Sequence, residues 1–424
     1  MINQRKIVLN ALLQMCENSG YSNIILQNAF VKNDVPPKSR PFITKLFYGV
    51  LDRMITLDYV ISKFVKKPIG KIAPITLFSL RMAVYQIMYM DKVPDRAAVN
   101  EAVKLVTSSR EKYNAPFVNA VLRNILRQGI KLPDGEEISS LKIKYSCPEW
   151  IIESFIEDYG TDNAKLILSN SLSSPEITVR INTALISDDK FSGEMLKEGI
   201  AVKLSDKTVH AATFAEGTDI KSLVAFNKGY FHVEDLPSQI AISSLKVVEG
   251  ERVLDMCASP GGKTFCASQD GGETAEIIAC DIHESRVGLI KSGAERLRLK
   301  NIKAIQQDAR IINENLGSFD AVICDVPCSG LGVIRRKPEI KYKNNLDFDE
   351  LKKTQSEILC NGIKYLKKGG RLLYSTCTLR KAENEDIVRA CLSENSDFEL
   401  EYEHTFLPDE CKTDGFYFAI LKSR

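Results

Sequence analysis

The sequence predicts a multi-domain chain: an all-α first third, a small α+β middle segment, and a doubly wound α/β domain filling the remainder. Three observations predict it. Apolar residues recur at helical spacing as far as about residue 128. A polar stretch, Gln128-Gly-Ile-Lys-Leu-Pro-Asp-Gly-Glu-Glu137, then interrupts them with the composition of a linker. From Val253 onward, strand-like and helical runs alternate. The 424 residues, 44% hydrophobic, suffice for two or three ordinary cores. The expected domains are 1–130, 141–227 and 228–424.

Val8, Leu9, Leu12, Leu13 and Cys16 lie on one face of a first amphipathic helix, which argues against a secretory signal. The run from Leu77 to Met88 is apolar almost all round, as a central buried helix would be. Val99, Ala102, Val103 and Val106 mark another helix, and Phe117, Val118, Val121, Leu122, Ile125 and Leu126 a further one. In the middle segment, helices are expected at Glu149–Tyr159, Asn163–Leu172 and near Gly193–Glu198. Strands are expected there at Ile177–Ile181 and Val202–Leu204. The last part predicts strands at Arg252–Met256, Glu276–Cys280, Lys303–Gln307, Ala321–Cys324 and Arg371–Thr376. Helices over Thr264–Ser268, Glu284–Arg298 and Leu351–Leu366 come between them.

Composition narrows the function classes. The most apolar stretch, Ile75 to Met90, is short for a bilayer and contains Arg81, so no membrane partner is expected. Eleven cysteines is an odd number, and Cys280 and Cys324 sit inside strand-like runs, which favours a reduced, cytoplasmic chain. With no Cys-x-x-Cys and only four histidines, no metal site is expected. The net charge of +2 hides an asymmetry. Residues 1–130 hold 19 basic and 8 acidic side chains, a balance of +11, which leaves −9 for the rest. A basic helical module beside an acidic remainder fits docking on a polyanion, with binding that weakens steeply as salt is added. A merely well-solvated basic surface is the plainer alternative.

In doubly wound sheets, ligands sit beyond the carboxyl ends of the strands. Asp255, Asp281, Asp308, Asp325 and Cys377 all fall at or just past such ends. Gly262-Lys263-Thr264 is not a P-loop, because Cys257 stands where the first glycine would be. The three spaced glycines of a dehydrogenase fingerprint are also missing. What remains is a Pro260-Gly261-Gly262 turn that lets a ligand approach the backbone at a helix N-terminus. Asp281 is placed to accept ribose hydroxyls and Asp308 to meet an adenine amino group, so an adenosine-bearing cofactor is expected. Each aspartate alone could be a helix cap; together they make that reading weaker. Two further cysteines, in Asp325-Val-Pro-Cys-Ser-Gly330 and Ser375-Thr-Cys-Thr378, face the same rim and suggest covalent chemistry on an electron-poor ring.

Cys257-Ala-Ser-Pro-Gly-Gly-Lys263, Asp325-x-Pro-Cys-Ser-Gly330 and Ser375-Thr-Cys377 resemble, in order and separation, the motifs of RNA 5-methylcytosine methyltransferases that use S-adenosyl-L-methionine. Leu80-Arg-Met-Ala-Val-Tyr85, Val99-Asn-Glu-Ala-Val103 and Phe117-Val-Asn-Ala-Val-Leu122 resemble phrases of the NusB RNA-binding fold. Their combination resembles the RsmB (Sun/Fmu) family over nearly the whole chain. The resemblance implies a NusB-like first domain, a Rossmann-like methyltransferase domain, and 16S ribosomal RNA, unassembled or partly assembled, as substrate, with cytosine 967 as the target. It implies Cys377 as the nucleophile for C6, Cys328 as the aid to product release, and Asp325 at the N3/N4 edge of the base. It implies a cofactor site of Cys257, Ala258, Ser259, Pro260, Gly261, Gly262, Lys263, Asp281, Arg286, Asp308, Ala309 and Asp325. Cytosine C5 is a poor nucleophile, and a thiolate added at C6 makes the ring an enamine that can attack a methyl group. Thr378, Ser259 and Glu234 depart from the usual residues of the family, the last putting a polar contact near the cofactor in doubt. Arg335, Arg336 and Lys337 could lower a thiol pKa or hold RNA phosphates. Transfer RNA as substrate, or a non-catalytic RNA scaffold, are the alternatives, and a monomer is the default.

Overall fold

The computed structural model describes residues 2–18, 20–215, 217–343, 347–410 and 412–424. Its contacts group the chain into two compact units, Met1–Ser173 with Ile334–Asn344, and Ser174–Val333 with Asn345–Arg424. Among the described residues no helix is long and apolar enough to cross a membrane.

The first unit is helical. Pro74–Tyr89 is its centre: Thr76 through Gln86 are all buried, and proline at the first position suits a helix start. Around it pack helices Gln4–Asn18, Arg40–Asp52, Asp95–Thr107 and Ala115–Gln128, with Phe47, Leu80, Val84 and Leu122 in one core. The orphan N–H groups of the central helix are met from far along the chain. Glu111 accepts from the backbone of Ile75 (3.2 Å) and Thr76 (2.8 Å). Arg81, nearly buried, makes two 2.7 Å bonds to the Asp58 carboxylate.

Helices Ile138–Tyr145 and Glu149–Asn170 belong to this unit as well. The second is broken at Gly160, whose φ of +78° is not helical, and this is why the sequence reads as two segments. Ile334–Asn344 also groups here. Ser22 N–H donates to Glu339 Oε1 (3.1 Å), Lys341 Nζ to the Asp52 carbonyl (2.7 Å), and Tyr342 OH to the Leu51 carbonyl (2.9 Å).

The second unit holds two sheets. The smaller has order β2-β3-β1-β4, all antiparallel: β1 Ile177–Ile181, β2 Val202–Leu204, β3 Ala211–Phe214 and β4 Phe231–Val233. Phe191, Phe214 and Phe231 pack edge to face beneath it. Thus the segment expected as one middle domain, 141–227, is divided at Ser173, and its sheet extends past residue 227 to take in β4. The cause is polar as well as apolar. Buried Arg180 pairs with Asp270 at 2.5 Å, and Asn182 donates to the carbonyl of Leu297 at 2.9 Å, which ties this sheet to the larger one.

The larger sheet has order β10-β11-β9-β8-β5-β6-β7. Its strands are β5 Arg252–Asp255, β6 Glu276–Asp281, β7 Ile302–Gln306, β8 Phe319–Asp325, β9 Leu366–Thr376, β10 Phe398–Phe406 and β11 Phe416–Ser423. Strands β9-β8-β5-β6-β7 are parallel; β11 and then β10 add antiparallel. The order reverses between β5 and β8, a topological switch point of the kind that receives ligands. Sequence reading missed β10, an edge strand in which Phe398, Leu400 and Tyr402 alternate with Glu399, Glu401 and Glu403.

Candidate active site

At the switch point β5 ends in Asp255 and the chain turns into helix Gly262–Asp270. Gly261 has φ +115°, and a Cβ there would stand 2.3 Å from the Phe265 ring. A Cβ on Gly262 would lie 1.6 Å from Glu234 Oε2, so this turn presses its backbone against a buried carboxylate that no larger residue would allow. Glu234 also accepts from the Ser238 hydroxyl. Burial raises its pKa above the usual carboxylate range.

Lys263, the next residue, carries its ammonium into this group. Nζ lies 3.0 Å from Asp325 Oδ2, 3.8 Å from Glu234 Oε1, and 5.2 Å from the centre of the Phe416 ring. Burial alone would lower its pKa. The charges of Asp325 and Glu234 outweigh burial and hold it above the ordinary lysine value. Asp325, at the end of β8, also accepts from Ser375 Oγ (2.7 Å) on β9. Asp255 accepts from Thr264 Oγ1 (2.6 Å), while its Oδ1 has no hydrogen-bond partner among the described residues. Burial pushes this carboxyl up to about 7.

The other expected binding residues follow the strands outward. Ala258 is buried, with its N–H on the Cys280 carbonyl (2.8 Å). Ser259 is half-buried and Pro260 exposed at the tip of the turn, while burial raises the Cys257 thiol. Asp281, at the end of β6, accepts from the His283 N–H (3.0 Å) and lies 3.6 Å from Arg286. Both carboxylate oxygens of Asp308 take bonds from Arg310, which lowers its pKa; the contact the sequence expected there, an adenine amino group, therefore shares that carboxylate with an arginine. Ala309 is buried, its carbonyl accepting from Asn361 (3.1 Å). One residue of this rim was missed: Glu383, fully buried, whose Oε1 accepts from Ser329 Oγ (2.6 Å) beside Cys328. Nothing local flags it.

The two thiols meet. In the parallel pair β8–β9, Asp325 is opposite Ser375, so Cys328 and Cys377, three and two residues further on, leave the sheet at the same rim. Their sulfurs are 3.2 Å apart, both residues are half-buried, and both are free thiols. The hydrogen bond to Cys377, then burial, then the charges of Cys377 and Glu383 raise the Cys328 pKa well above the ordinary thiol value. Either sulfur can donate to the other. Arg335, Arg336 and Lys337 belong to the segment Ile334–Asn344, which groups with the helical unit. Among the described residues no group of three His, Cys, Asp or Glu side chains is arranged to hold a metal.

A backbone-close glycine turn at the switch point, strand-end carboxylates on the same rim and a pair of facing thiols define the S-adenosyl-L-methionine methyltransferase class. Comparisons with known proteins agree. A model of the 16S rRNA methyltransferase RsmB/F matches residues 242–422, the NusB family matches 2–127, and an RsmF/B-like ferredoxin-like domain matches 147–221. The probable ribosomal RNA small subunit methyltransferase B of Bacillus subtilis is 35% identical, over 99% of this chain and 98% of that protein. The corresponding protein of Synechocystis is 30% identical over all of both chains. The solved structure of PH0851 superposes with TM-score 0.84 at 26% identity, covering 100% of this chain and 99% of its own. NSun6 from Pyrococcus horikoshii, at 24% identity and TM-score 0.61, covers 65% of this chain and 98% of its own and shares the fold. The chain belongs to the RsmB family of small-subunit ribosomal RNA methyltransferases, and its cofactor is S-adenosyl-L-methionine.

Proposed function

We propose that this chain methylates C5 of a cytosine in 16S ribosomal RNA, cytosine 967, through a covalent adduct between Cys377 Sγ and C6. The observation that carries the reading is the 3.2 Å pair of sulfurs on the rim that also carries Asp325 and Lys263. Cys377 is the sulfur that adds to C6: its S–H bond breaks, the proton passes to N3, and the S–C6 bond forms. Asp325, 3.0 Å from Lys263, accepts from the N3–H and N4–H edge. When bound, the cofactor supplies an electrophilic methyl group to C5. Release then removes the C5 proton, re-forms the C5=C6 bond and expels Cys377 as thiolate, while the N3 proton is lost. Cys328, in contact with Cys377, assists that elimination.

The Gly261-Gly262 turn, Asp281 and Asp308 would hold the adenosine end of the cofactor. Lys263 orients Asp325. The target base must leave its stack to reach the thiols, which favours RNA that is unassembled or partly assembled. Both thiols, Asp325 and the glycine turn lie in one unit of one chain, so a monomer suffices. The ten cysteines among the described residues are free thiols, which fits a reducing cytoplasm.

The test is a denaturing gel of wild type, Cys328→Ala and Cys377→Ala, each with the methyl donor and unmethylated 16S RNA, and with transfer RNA as control. Cys328→Ala should accumulate a protein–RNA adduct with 16S RNA, and Cys377→Ala should form none. An adduct confined to Cys377→Ala would exchange the two roles, and an adduct formed only with transfer RNA would reassign the substrate.

A further inference from the structure

The loops that carry the thiols have no regular structure of their own: neither Val326–Gly330 nor Thr378–Arg380 is helix or strand. A separation of 3.2 Å between two sulfurs on such loops needs an outside constraint. One buried side chain supplies it. Glu383, fully buried, accepts at Oε1 from Ser329 Oγ (2.6 Å) and at Oε2 from the Ser329 N–H (2.9 Å) and Gln355 Nε2 (3.0 Å). The same Gln355 nitrogen donates to the Pro327 carbonyl at 2.9 Å. Ser329 Oγ in turn pairs with Thr378 Oγ1 at 2.8 Å, and the Glu383 carbonyl accepts from Tyr374 OH at 2.6 Å. From a single carboxylate, hydrogen bonds therefore reach the neighbour of Cys328 directly and the neighbour of Cys377 through one hydroxyl.

We propose that Glu383 is a positioning residue for the reaction: it fixes the spacing of Cys328 and Cys377 and so sets the balance of reactivity between them. The proposal rests on the covalent reading above. Three donors converge on this side chain, and only an acceptor-only group with two oxygens satisfies them all. A buried carboxylate is costly unless paired, so simple packing would be better served by an apolar residue. Its charge acts in the same direction as its bonds. Charged and titratable groups around the Cys328 loop include Cys377, Glu383 and Tyr374, with Arg380 3.6 Å from Glu383 Oε1 and the Asp325–Lys263 pair at the start of the loop. The charge of Glu383 is among the causes that raise the Cys328 thiol.

Glu383→Gln keeps the volume, removes the charge and turns one acceptor into a donor. Two measurements on the full chain read its effect. The first is methylation of 16S RNA, as kcat and KM. The second is the rate of iodoacetamide labelling at Cys377 and Cys328, by peptide mapping without RNA or methyl donor. Cys360 serves as the internal reference; its hydrogen bond with Cys391 lowers its pKa to about 7. The wild type should label at Cys377 well ahead of Cys328. In Glu383→Gln that ratio and kcat should each fall by about tenfold or more, with KM within about twofold. Equal labelling in the wild type, or an unchanged ratio and kcat in the variant, would overturn the proposal. If Glu383→Gln unfolds, Ser329→Ala removes only the hydroxyl link. A smaller fall in the labelling ratio is then expected, and no change rejects the idea. Labelling needs no RNA, so a wrong substrate would silence the first readout and leave the second intact.

Discussion

The helical unit and the catalytic unit both bury charge, and they use it differently. In the helical unit the buried pairs serve structure: Arg81 closes on Asp58, Glu111 caps the central helix, and Lys341 donates to the Asp52 carbonyl. In the catalytic unit the buried charges gather at strand ends: Lys263 stands between Asp325 and Glu234, and Glu383 stands behind two thiols. An unpartnered oxygen does not separate the two, since among the described residues Asp52 Oδ1 and Asp255 Oδ1 both lack a hydrogen-bond partner. Asp52 and Asp255 sharpen the contrast, since burial pushes both up to about 7. A perturbed pKa alone therefore does not mark function here. Convergence of several such groups at the carboxyl ends of neighbouring strands does.

The strongest attempt to break this comparison removes the nucleophile. Cys377→Ala should lower methyl incorporation into 16S RNA by at least about a thousandfold with an unchanged melting temperature. Appreciable residual turnover would move the chemistry elsewhere. Next, Asp58→Ala leaves Arg81 nearly buried without its partner and should cost about 3 kcal/mol in urea unfolding of the helical unit. Labelling at Cys377 should not respond; a response would blur the division between the two regions.

Gly262→Ala drives a methyl group into Glu234 and should weaken cofactor binding by about tenfold in calorimetry while costing about 1–3 kcal/mol of stability. Unchanged affinity would mean that the turn does not approach the ligand.

The smallest effect is on pH dependence. A carboxyl raised from 3.8 to about 7 on folding stabilises the fold below pH 4 and loses that contribution as pH rises toward 7. Asp255→Asn and Asp52→Asn should each flatten this decline, by about 1–3 kcal/mol once solvent relaxation is allowed for. Only Asp255→Asn should also change cofactor affinity. If both variants do, the comparison of the two aspartates fails.

Much of the fold was legible because its signals are local. The apolar run around Leu80 shows a buried helix, and the runs ending in Asp255, Asp281 and Asp325 show parallel strands covered on both faces. The glycine turn and the two cysteine motifs were legible for the same reason, since each needs fewer than ten residues. Helices Leu236–Leu245 and Glu385–Glu394 were not anticipated. The first mixes Ser238, Gln239, Ser243 and Ser244 among its apolar residues, and the second keeps Ile387, Val388, Cys391 and Leu392 at helical spacing over only ten residues.

The sequence by itself determined which chemistry this chain carries: the thiols, the strand-end aspartates and the glycine turn are written as contiguous motifs. Tertiary structure alone decided how they are held. Glu383 meets Ser329 across 54 positions, Lys263 meets Asp325 across 62, and Gly262 meets Glu234 from another element altogether. It also decided that Ile334–Asn344 groups with the helical unit, where Tyr342 and Lys341 find buried carbonyl partners. The reason is physical. A motif is specified by backbone geometry over a few residues, whereas a buried charge has to be satisfied by whatever the finished fold brings within about 3 Å.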